Sequence, residues 1–272
     1  MKTKTLYLTD LDGTLLRGDQ RLSRFACESL DALTKKGMIF SYATARSIVT
    51  ARQVTGGLIM KQPVIVYNGS FILDSAGGEV LLSSSFSDLD SRYILDLLLT
   101  RGVCPIVYTM TDGVENFVFC AAKQSRGVRD FLATREGDPR AICVESIDKL
   151  YREGVFHFTC IDEYEKLLPL YEALRLAFTC FFHRDIYSGE FWLELHPSGA
   201  SKASAALALK SLLGCNRLIC FGDASNDIPM FEIADECYAV ANACDELKAI
   251  ATGVIASNED DGVAKFLLER IE

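Results

Sequence analysis

Short apolar runs that alternate with helical stretches occupy both ends of this chain, and they constrain its fold more than any other feature. Near the start, runs at 5–9, 38–43 and 63–67 are separated by stretches with helical spacing. The alternation returns after Pro197. Short apolar strands joined by helices are typical of βαβ units and a parallel sheet. The two ends therefore predict one Rossmann-like α/β domain.

The middle of the chain follows a different pattern, with predicted strands next to one another and longer helices between them. A hairpin is predicted over 71–82. Further on we predict helices at 88–101, 123–134 and 162–176, and strands on both sides of Asp112-Gly113, near 141–144, at 155–161 and at 177–183. This arrangement favours an antiparallel sheet that is covered on one face. We therefore predict a parallel-sheet core domain of residues 1–85 and 187–272, interrupted by an inserted α+β domain of residues 86–186.

Asp10 and Asp12 lie in the pentapeptide D-L-D-G-T, directly after the first apolar run. In open parallel sheets, ligands bind at the carboxyl ends of the strands. Residues two apart along a strand point to the same side, so both carboxylates can reach one small ligand, and Gly13 allows a sharp turn. An acidic turn without a function has a similar composition. The pentapeptide alone therefore leaves both interpretations open.

A second acidic cluster, G-D-A-S-N-D, contains Asp223, Asn226 and Asp227 and follows another short apolar run. One interpretation is a helix N-cap with acids near the positive end of the helix dipole, and that role is compatible with a ligand role. Two acidic clusters at the ends of parallel strands repel each other unless a cation lies between them, and hard oxygen ligands suit Mg²⁺. We therefore predict a Mg²⁺ site with Asp10 and Asp223 as ligands and with Asp227 orienting coordinated water.

Two further residues could complete a phosphate site. Thr44 ends the second apolar run at a turn, where its hydroxyl and free backbone N–H groups can hold phosphoryl oxygens. Lys202 opens a predicted helix after Pro197, and its ammonium can neutralise charge on a transferring group. Each residue taken singly is better explained as a turn residue or a solvated lysine, so the prediction depends on their order and on their placement at strand or helix ends.

In this order, D-x-D-G-T, Thr44, Lys202 and G-D-x-x-N-D resemble the motifs of the haloacid dehalogenase superfamily of phosphotransferases. The long insertion between Thr44 and Lys202 resembles the Cof-type sugar-phosphatase branch, which carries a C2-type cap. Asn68-Gly69 and Asn242-Ala243 also match that branch. The resemblance covers nearly the whole chain and implies that the inserted domain is such a cap. Four motifs in order are far more specific than any one of them.

The chain departs from the branch at three small residues. Ala45, Ala203 and Ala241 stand where the branch commonly has glycine. Each alanine adds one methyl group and leaves the acids, Thr44 and Lys202 in place. We therefore expect these changes to affect loop geometry and substrate fit and not the chemistry.

The resemblance implies a hydrolase that transfers the phosphoryl group of a small phosphate monoester, most simply a sugar phosphate, to Asp10 and then to water. Asp12 would act as general acid and then as general base. The implied metal site consists of Asp10, Asp12, Asp223 and Asp227. The implied catalytic and phosphate contacts are Thr44, Ala45, Arg46, Asn68, Lys202 and Asn226.

Three other functions stay open at this point. A phosphomutase of the same superfamily would return the phosphoryl group to its substrate, whereas a non-catalytic sensor would only bind a phosphorylated ligand. The sensor is weakened because no expected chemical residue is missing. A receiver-type signalling module also uses acids, Thr and Lys on a parallel sheet, but it needs neither a second acid two residues after the first nor a large inserted domain.

Composition excludes several classes of partner. The 28 Lys and Arg and 37 Asp and Glu of this 272-residue chain give a net charge of −9, which argues against nucleic acid and anionic membrane surfaces. No apolar window reaches the length of a membrane span, and the start of the chain is too weakly apolar for a signal peptide. None of the ten cysteines has C-x-x-C spacing. We therefore predict a cytoplasmic protein that binds a small phosphorylated metabolite, with no obligate protein partner.

Overall fold

The computed structural model describes residues 3–184 and 189–271. In chain order the strands are β1 (Thr5–Thr9), β2 (Ile39–Tyr42), β3 (Val64–Val66), β4 (Phe71–Leu73), β5 (Val80–Ser83), β6 (Ile106–Thr111), β7 (Val114–Cys120), β8 (Ala141–Val144), β9 (Val155–Asp162), β10 (Thr179–Arg184), β11 (Phe191–His196), β12 (Arg217–Gly222), β13 (Glu236–Val240) and β14 (Gly253–Ile255). The helices are α1 (Arg24–Lys35), α2 (Ile48–Val54), α3 (Asp88–Thr100), α4 (Arg126–Ala133), α5 (Tyr164–Leu174), α6 (Lys202–Leu212), α7 (Ile228–Ile233), α8 (Asp245–Ile250) and α9 (Gly262–Ile271).

The chain divides into two compact units. The first unit contains Met1–Ser83 and Ser201–Glu272, and the second contains Ser84–Ala200. Each unit has its own sheet. The first unit is therefore built from both ends of the chain, and the second from the segment between them.

A parallel sheet in the order β14-β13-β12-β1-β2 forms the centre of the first unit. The apolar residues Leu6 and Leu8 of β1 are fully buried in it. Thr9 at the end of β1 pairs with Phe221 of β12 on one side and with Tyr42 of β2 on the other. The carboxyl ends of these three strands therefore lie at one edge, where a doubly wound sheet binds its ligands. The predicted α/β class is confirmed.

Two local features of the first unit follow from its sequence. The side chain of Ser23 accepts a hydrogen bond from the backbone N–H of Ala26 and so caps α1, as expected of serine at this position. The strands β3, β4 and β5 form an antiparallel sheet, with the predicted hairpin between β4 and β5. A single parallel bridge between Ala43 and Ile65 connects β3 to the end of β2.

The second unit contains a six-stranded sheet in the order β10-β11-β9-β6-β7-β8. Neighbouring strands are antiparallel except β7 and β8, which are parallel. Apolar residues of α3 and α5, including Leu95, Leu98 and Leu167, form a core with one face of the sheet. Helix α4 lies on the opposite face, where Phe131 contacts Trp192. The predicted single covered face is therefore wrong for α4.

The second boundary between the units also differs from the prediction. Residues 191–196 form β11, which pairs with both β9 and β10 and therefore belongs to the second unit. The unit boundary falls after Ala200 and not between 186 and 187, a position that lies outside the described residues. The alternating run Leu193-Glu194-Leu195-His196 is a strand signal that would have placed the boundary later.

Within the described residues, the structure contains no helix long and apolar enough to cross a lipid bilayer.

Candidate active site

Asp10 and Lys202 form the centre of the candidate site, at the edge where β1 and β12 end. The backbone N–H of Asp10 donates to the carbonyl of Phe221 at 2.9 Å, which continues the ladder between the two strands. The Lys202 Nζ donates to Asp10 Oδ1 at 2.5 Å and to Asp227 Oδ1 at 2.7 Å. Lys202 is 1% exposed and Asp10 is 6% exposed. A buried lysine thus joins two carboxylates that are far apart in the sequence.

A third carboxylate completes an acidic group around this lysine. Oxygen atoms of Asp10, Asp223 and Asp227 lie within 4.8 Å of one another. The Thr14 hydroxyl donates to Asp223 Oδ1 at 2.9 Å. Among the residues that the structure describes, Oδ2 of Asp10 and Oδ2 of Asp223 have no hydrogen-bond partner. Three hard oxygen donors with two unused oxygen atoms fit a divalent cation such as Mg²⁺.

The charge balance of the group is unfavourable without a cation. Burial raises the pKa of Asp10 well above its usual value; Lys202 opposes this shift, while Asp227 and Asp223 add to it. Burial, followed by the charge of Asp227, raises the pKa of Asp223 to about 6. Burial opposes the charged form of Lys202, yet Asp10 and Asp227 outweigh it and raise the lysine pKa. Repulsion among three carboxylates with one lysine therefore favours binding of further positive charge.

Glycine at position 13 allows the two acidic segments to approach each other. Gly13 has a φ of 74°, a backbone conformation that favours glycine, and a Cβ there would lie 2.3 Å from Asp223 Oδ2. On the other segment, Asp227 Oδ2 accepts hydrogen bonds from the backbone N–H groups of Asp223 and Ala224 at 3.0 and 3.2 Å. The Asp227 carboxylate thus fixes the loop that carries Asp223.

The loop after β3 explains how Lys202 becomes buried at this edge. Gly69 has a φ of 101°, and a Cβ there would lie 2.1 Å from the carbonyl oxygen of Ser201. The backbone just before Lys202 can pack against the loop only because residue 69 has no side chain. The Ser201 side chain then caps α6, whose first residue is Lys202.

The predicted phosphate contacts Thr44, Asn68 and Asn226 are neighbours in the structure. The backbone N–H of Asn68 donates to the Thr44 carbonyl at 2.9 Å, and Asn226 Nδ2 donates to Asn68 Oδ1 at 3.3 Å. Thr44 is fully buried, and the residue before it, Ala43, donates its N–H to Thr9 at 2.8 Å. Thr44 therefore lies beside the end of β1, whereas Ala45 is exposed.

Asp12 is paired with an arginine and is not one of the three grouped carboxylates. Its carboxylate accepts two hydrogen bonds from Arg46, from Nε to Oδ2 at 2.6 Å and from Nη2 to Oδ1 at 2.5 Å. The structure therefore places Arg46 against Asp12, and a metal-ligand role of Asp12 stays a prediction.

Sequence reasoning gave no role to several residues that support this site. Asn242 Nδ2 donates to the Gly13 carbonyl at 2.7 Å, and Asn242 Oδ1 accepts from the Asn258 N–H at 3.1 Å. Asn258 Nδ2 in turn donates to the carbonyl of Leu16 at 2.9 Å. These asparagines hold the backbone at Gly13 and at Leu16, where the D-x-D-G-T turn ends. Asn242 carried a sequence signal through its match to the branch, whereas Asn258 and Thr14 carried none that we used.

Comparison with known proteins adds independent information. A family described as haloacid dehalogenase-like hydrolase matches residues 7–267. The chain is 26% identical over 281 residues to the 5-amino-6-(5-phospho-D-ribitylamino)uracil phosphatase YwtE of Bacillus subtilis, covering 95% of each chain. The match therefore includes both units.

Two solved structures share the fold. The structure of TM0651 from Thermotoga maritima superposes with a TM-score of 0.78 at 24% identity, covering 100% of this chain and 98% of the other. The HAD subclass IIB sugar phosphatase BT4131 superposes with a TM-score of 0.76 at 22% identity, covering 99% of this chain and 100% of the other. At these identities the likeness concerns the fold, and it covers both units.

Proposed function

Because this chain belongs to the haloacid dehalogenase-like hydrolases and is a phosphatase, we propose that it hydrolyses a small phosphate monoester, most simply a sugar phosphate, in a Mg²⁺-dependent reaction. The proposal assigns the chemistry to the first unit, which contains Asp10, Asp12, Thr44, Lys202 and Asp223. It assigns selection of the leaving group to the second unit, as the C2-type cap. We include a cytoplasmic location, since all ten cysteines are free thiols.

One observation carries the proposal. Lys202 holds Oδ1 of a buried aspartate, and Oδ2 of the same Asp10 carboxylate has no partner among the described residues. A carboxylate with one oxygen fixed and the other unused, beside a lysine and two further acids, is suited to nucleophilic attack on an electron-poor phosphorus. An ordinary structural ion pair does not need the two further acids.

In the first step, Asp10 Oδ2 forms a bond to phosphorus while the bond from phosphorus to the leaving oxygen breaks. Asp12 gives a proton to that oxygen, so the alcohol leaves neutral. In the second step, water attacks phosphorus, Asp12 takes a proton from the water, and the bond between phosphorus and Asp10 breaks. The products are the alcohol and inorganic phosphate, and Asp10 is regenerated.

Charge on the phosphoryl oxygens needs positive partners throughout. Lys202 supplies one, and the Thr44 hydroxyl and nearby backbone N–H groups supply hydrogen bonds. Asp10, Asp223 and Asp227 are the residues that would hold Mg²⁺, and the ion would neutralise further charge on the transferring group. Asn68 and Asn226 are proposed as additional contacts around the phosphate, whereas the guanidinium of Arg46 binds the Asp12 carboxylate.

The first experiment tests the metal and the reaction together. Release of inorganic phosphate from p-nitrophenyl phosphate should be abolished by EDTA and restored by excess Mg²⁺. Full activity after exhaustive chelation contradicts the metal assignment, and no turnover in Mg²⁺ favours a phospho-ligand sensor. When a sugar phosphate replaces p-nitrophenyl phosphate, phosphate that remains esterified on an isomeric sugar favours a phosphomutase.

The second experiment tests the covalent step through Asp12→Asn. This variant keeps a similar side-chain volume but cannot move a proton, so turnover should fall by about 10²–10⁴-fold. The leaving group of p-nitrophenyl phosphate does not need protonation, so the aspartyl phosphate should still form and then accumulate. After rapid acid quench and hydroxylamine trapping, mass spectrometry should find the hydroxamate at Asp10. A hydroxamate at Asp12 contradicts the assigned roles.

The substrate follows from a panel. Phosphate release from hexose, pentose, nucleotide and pyridoxal phosphates should show a preference among sugar phosphates. The relative YwtE acts, by its name, on a phosphorylated ribityl compound, so a phosphorylated polyol belongs in the panel. A marked preference for a nucleotide contradicts the proposed substrate class.

A further inference from the structure

The guanidinium of Arg46 contacts the side chains of Asp12 and Gln20. Arg46 donates two hydrogen bonds to the Asp12 carboxylate, and its Nη2 also donates to Gln20 Oε1 at 2.9 Å. The Asp12 side chain is 48% exposed and the Arg46 side chain 19% exposed. A half-exposed aspartate is therefore held by a less exposed arginine, which is held in turn by a glutamine.

Gln20 has an unusual backbone conformation for this contact. Its φ of 60° lies in the left-handed region, which residues other than glycine and asparagine seldom adopt. Its N–H donates to the Arg17 carbonyl at 2.8 Å, and the Arg17 N–H donates to the Arg21 carbonyl at 3.0 Å. Conformations of this kind persist only where the surroundings fix them, and they concentrate at functional sites.

The surroundings of this turn do fix it. Arg17 Nη2 donates to Asp261 Oδ2 at 2.6 Å, and the Gly18 N–H donates to Glu259 Oε1 at 2.6 Å. Both acids lie in the segment before α9. The turn that carries Gln20 is therefore anchored to another part of the first unit and can act as a fixed support for Arg46.

The two hydrogen bonds from Arg46 to Asp12 have a specific mechanical effect. A planar guanidinium that binds both oxygens of a carboxylate fixes the position of that carboxylate and the direction of its oxygens. An aspartate that is half exposed and lacks such a partner would exchange among rotamers. Ion pairs with an exposed partner usually contribute little to stability. The effect of the bidentate geometry that matters here is the orientation of Asp12.

We propose that Gln20 and Arg46 are positioning residues that orient Asp12 for proton transfer in the proposed phosphatase reaction. The proposal rests on the proposed function, since it assigns a role to residues around the general acid and base. Gln20 fixes the guanidinium of Arg46, and Arg46 fixes the carboxylate of Asp12. Neither residue needs to touch the reacting phosphorus for this role.

The role has a consequence for different leaving groups. Departure of p-nitrophenolate needs no proton, whereas departure of phenolate is helped by one. Loss of orientation at Asp12 should therefore slow aspartyl phosphate formation from phenyl phosphate more than from p-nitrophenyl phosphate. A change that only loosened the fold would slow aspartyl phosphate formation from both esters to the same extent.

The experiment measures the rate of aspartyl phosphate formation from each ester with Mg²⁺, by rapid quench, in wild type and in variants. Arg46→Gln should slow formation from phenyl phosphate about tenfold, less than the roughly 10²–10⁴-fold expected for complete loss of acid catalysis, and formation from p-nitrophenyl phosphate less than twofold. Gln20→Gly removes the amide and suits the backbone conformation, and it should give the same pattern at about threefold. Arg46→Lys keeps the charge and should restore only part of the rate.

Arg52→Gln is the matched control. Arg52 is another arginine of the first unit, and it donates to the carbonyls of Ser75 and Ala76 at 2.9 and 3.0 Å. The Arg52→Gln variant should leave the ratio of the rates from phenyl phosphate and p-nitrophenyl phosphate unchanged. If both rates fall equally in Arg46→Gln, or if Gln20→Gly leaves the ratio at its wild-type value, the positioning role is wrong. If wild type forms no aspartyl phosphate from either ester, the proposed function itself is contradicted. Failure of the proposed function is therefore distinct from failure of the positioning role.

Discussion

The two units bury titratable side chains in opposite ways. In the first unit, Lys202 is buried as a cation between Asp10 and Asp227. In the second unit, His157 and His196 are buried in contact with each other, with Nδ1 of His157 at 3.1 Å from Nε2 of His196. One unit buries charge, whereas the other buries groups that stay neutral.

The neutral state of the second group follows from its surroundings. Burial lowers the pKa of His196 to about 3, and burial, followed by the proximity of His196, lowers the pKa of His157. Burial raises the pKa of Glu194, whose Oε1 lies 3.7 Å from His157 Nε2, to about 7. His157 Nε2 lies 2.7 Å from the Thr159 hydroxyl. Hydrogen bonds between neutral groups thus connect His157 with His196 and with Thr159.

This difference separates a reactive cluster from a structural one. Burying an ion pair is costly unless each charge finds partners, so such clusters are retained mainly where charge has a use. A neutral chain of hydrogen bonds satisfies buried polar atoms without that cost. We therefore expect substitutions in the first cluster to affect chemistry and stability together, and substitutions in the second to affect stability as a function of pH.

The largest effect should come from Asp10→Asn, which removes the nucleophile and one charge beside Lys202. We expect no detectable phosphate release and no trapped aspartyl phosphate, measured with p-nitrophenyl phosphate and Mg²⁺. Asp245→Asn, in the exposed first turn of α8, is the control and should keep wild-type turnover. Substantial activity in Asp10→Asn would remove the reactive character that we assign to the first cluster.

The next effect should come from Lys202→Met, which leaves two buried carboxylates without their cation. Breaking a buried ion pair from one side costs about 3–5 kcal/mol, and the free energy of unfolding in urea with EDTA, followed by circular dichroism, should fall by that order. Lys210→Met breaks an exposed pair with Asp235 and should cost less than about 1 kcal/mol. If the two variants lost equal unfolding free energy, burial of the Lys202 ion pairs would make no difference to stability.

A smaller effect should appear in the acid range through His196→Gln. The folded state keeps His196 neutral down to about pH 3. As the pH falls below the ordinary histidine pKa near 6.5, this histidine therefore takes up a proton only in the unfolded chain. The His196 contribution to the stability of wild type should therefore fall as the pH falls from 6.5, by on the order of 3 kcal/mol at pH 4. The stability difference between wild type and His196→Gln should change by that amount over the same range. The single tryptophan, Trp192 of β11, reports unfolding of this sheet by fluorescence, and an unchanged pH dependence would contradict the neutral assignment.

The smallest effect should appear toward neutral pH through Glu194→Gln. The folded state keeps Glu194 protonated up to about pH 7, whereas the unfolded chain ionises near 4.5. The Glu194 contribution to the stability of wild type should therefore fall as the pH rises from 4.5 to 7, by on the order of 3 kcal/mol. Glu194→Gln should remove this loss and leave the acid limb in place. Its control, Glu163→Gln on an exposed carboxylate, should follow wild type, and a variant that also follows wild type would argue that Glu194 is ionised in the fold.

Much of the fold could be predicted because its signals are local. Apolar runs ending in D-x-D-G-T and in G-D-x-x-N-D predicted strands whose ends meet at one edge, and β1 and β12 are indeed neighbours there. The missed strand β11 also has a local alternating pattern, which we did not use. The position of the Asp12 side chain has no such local signal, because it depends on the backbone turn at Gly13.

The sequence by itself determined the alternation of strands and helices and the chemical groups available at the strand ends, since both follow from nearest-neighbour patterns. Only the tertiary structure decided which groups meet. Lys202 and Asp10 form a hydrogen bond although they are 192 positions apart in the sequence. Gln20, in a turn with a strained backbone, contacts Arg46, which is 26 positions away. Hydrogen bonds over such separations form only after packing has fixed the elements that carry them. For this reason the three-carboxylate cluster and the hold on Asp12 have no signature in any one segment.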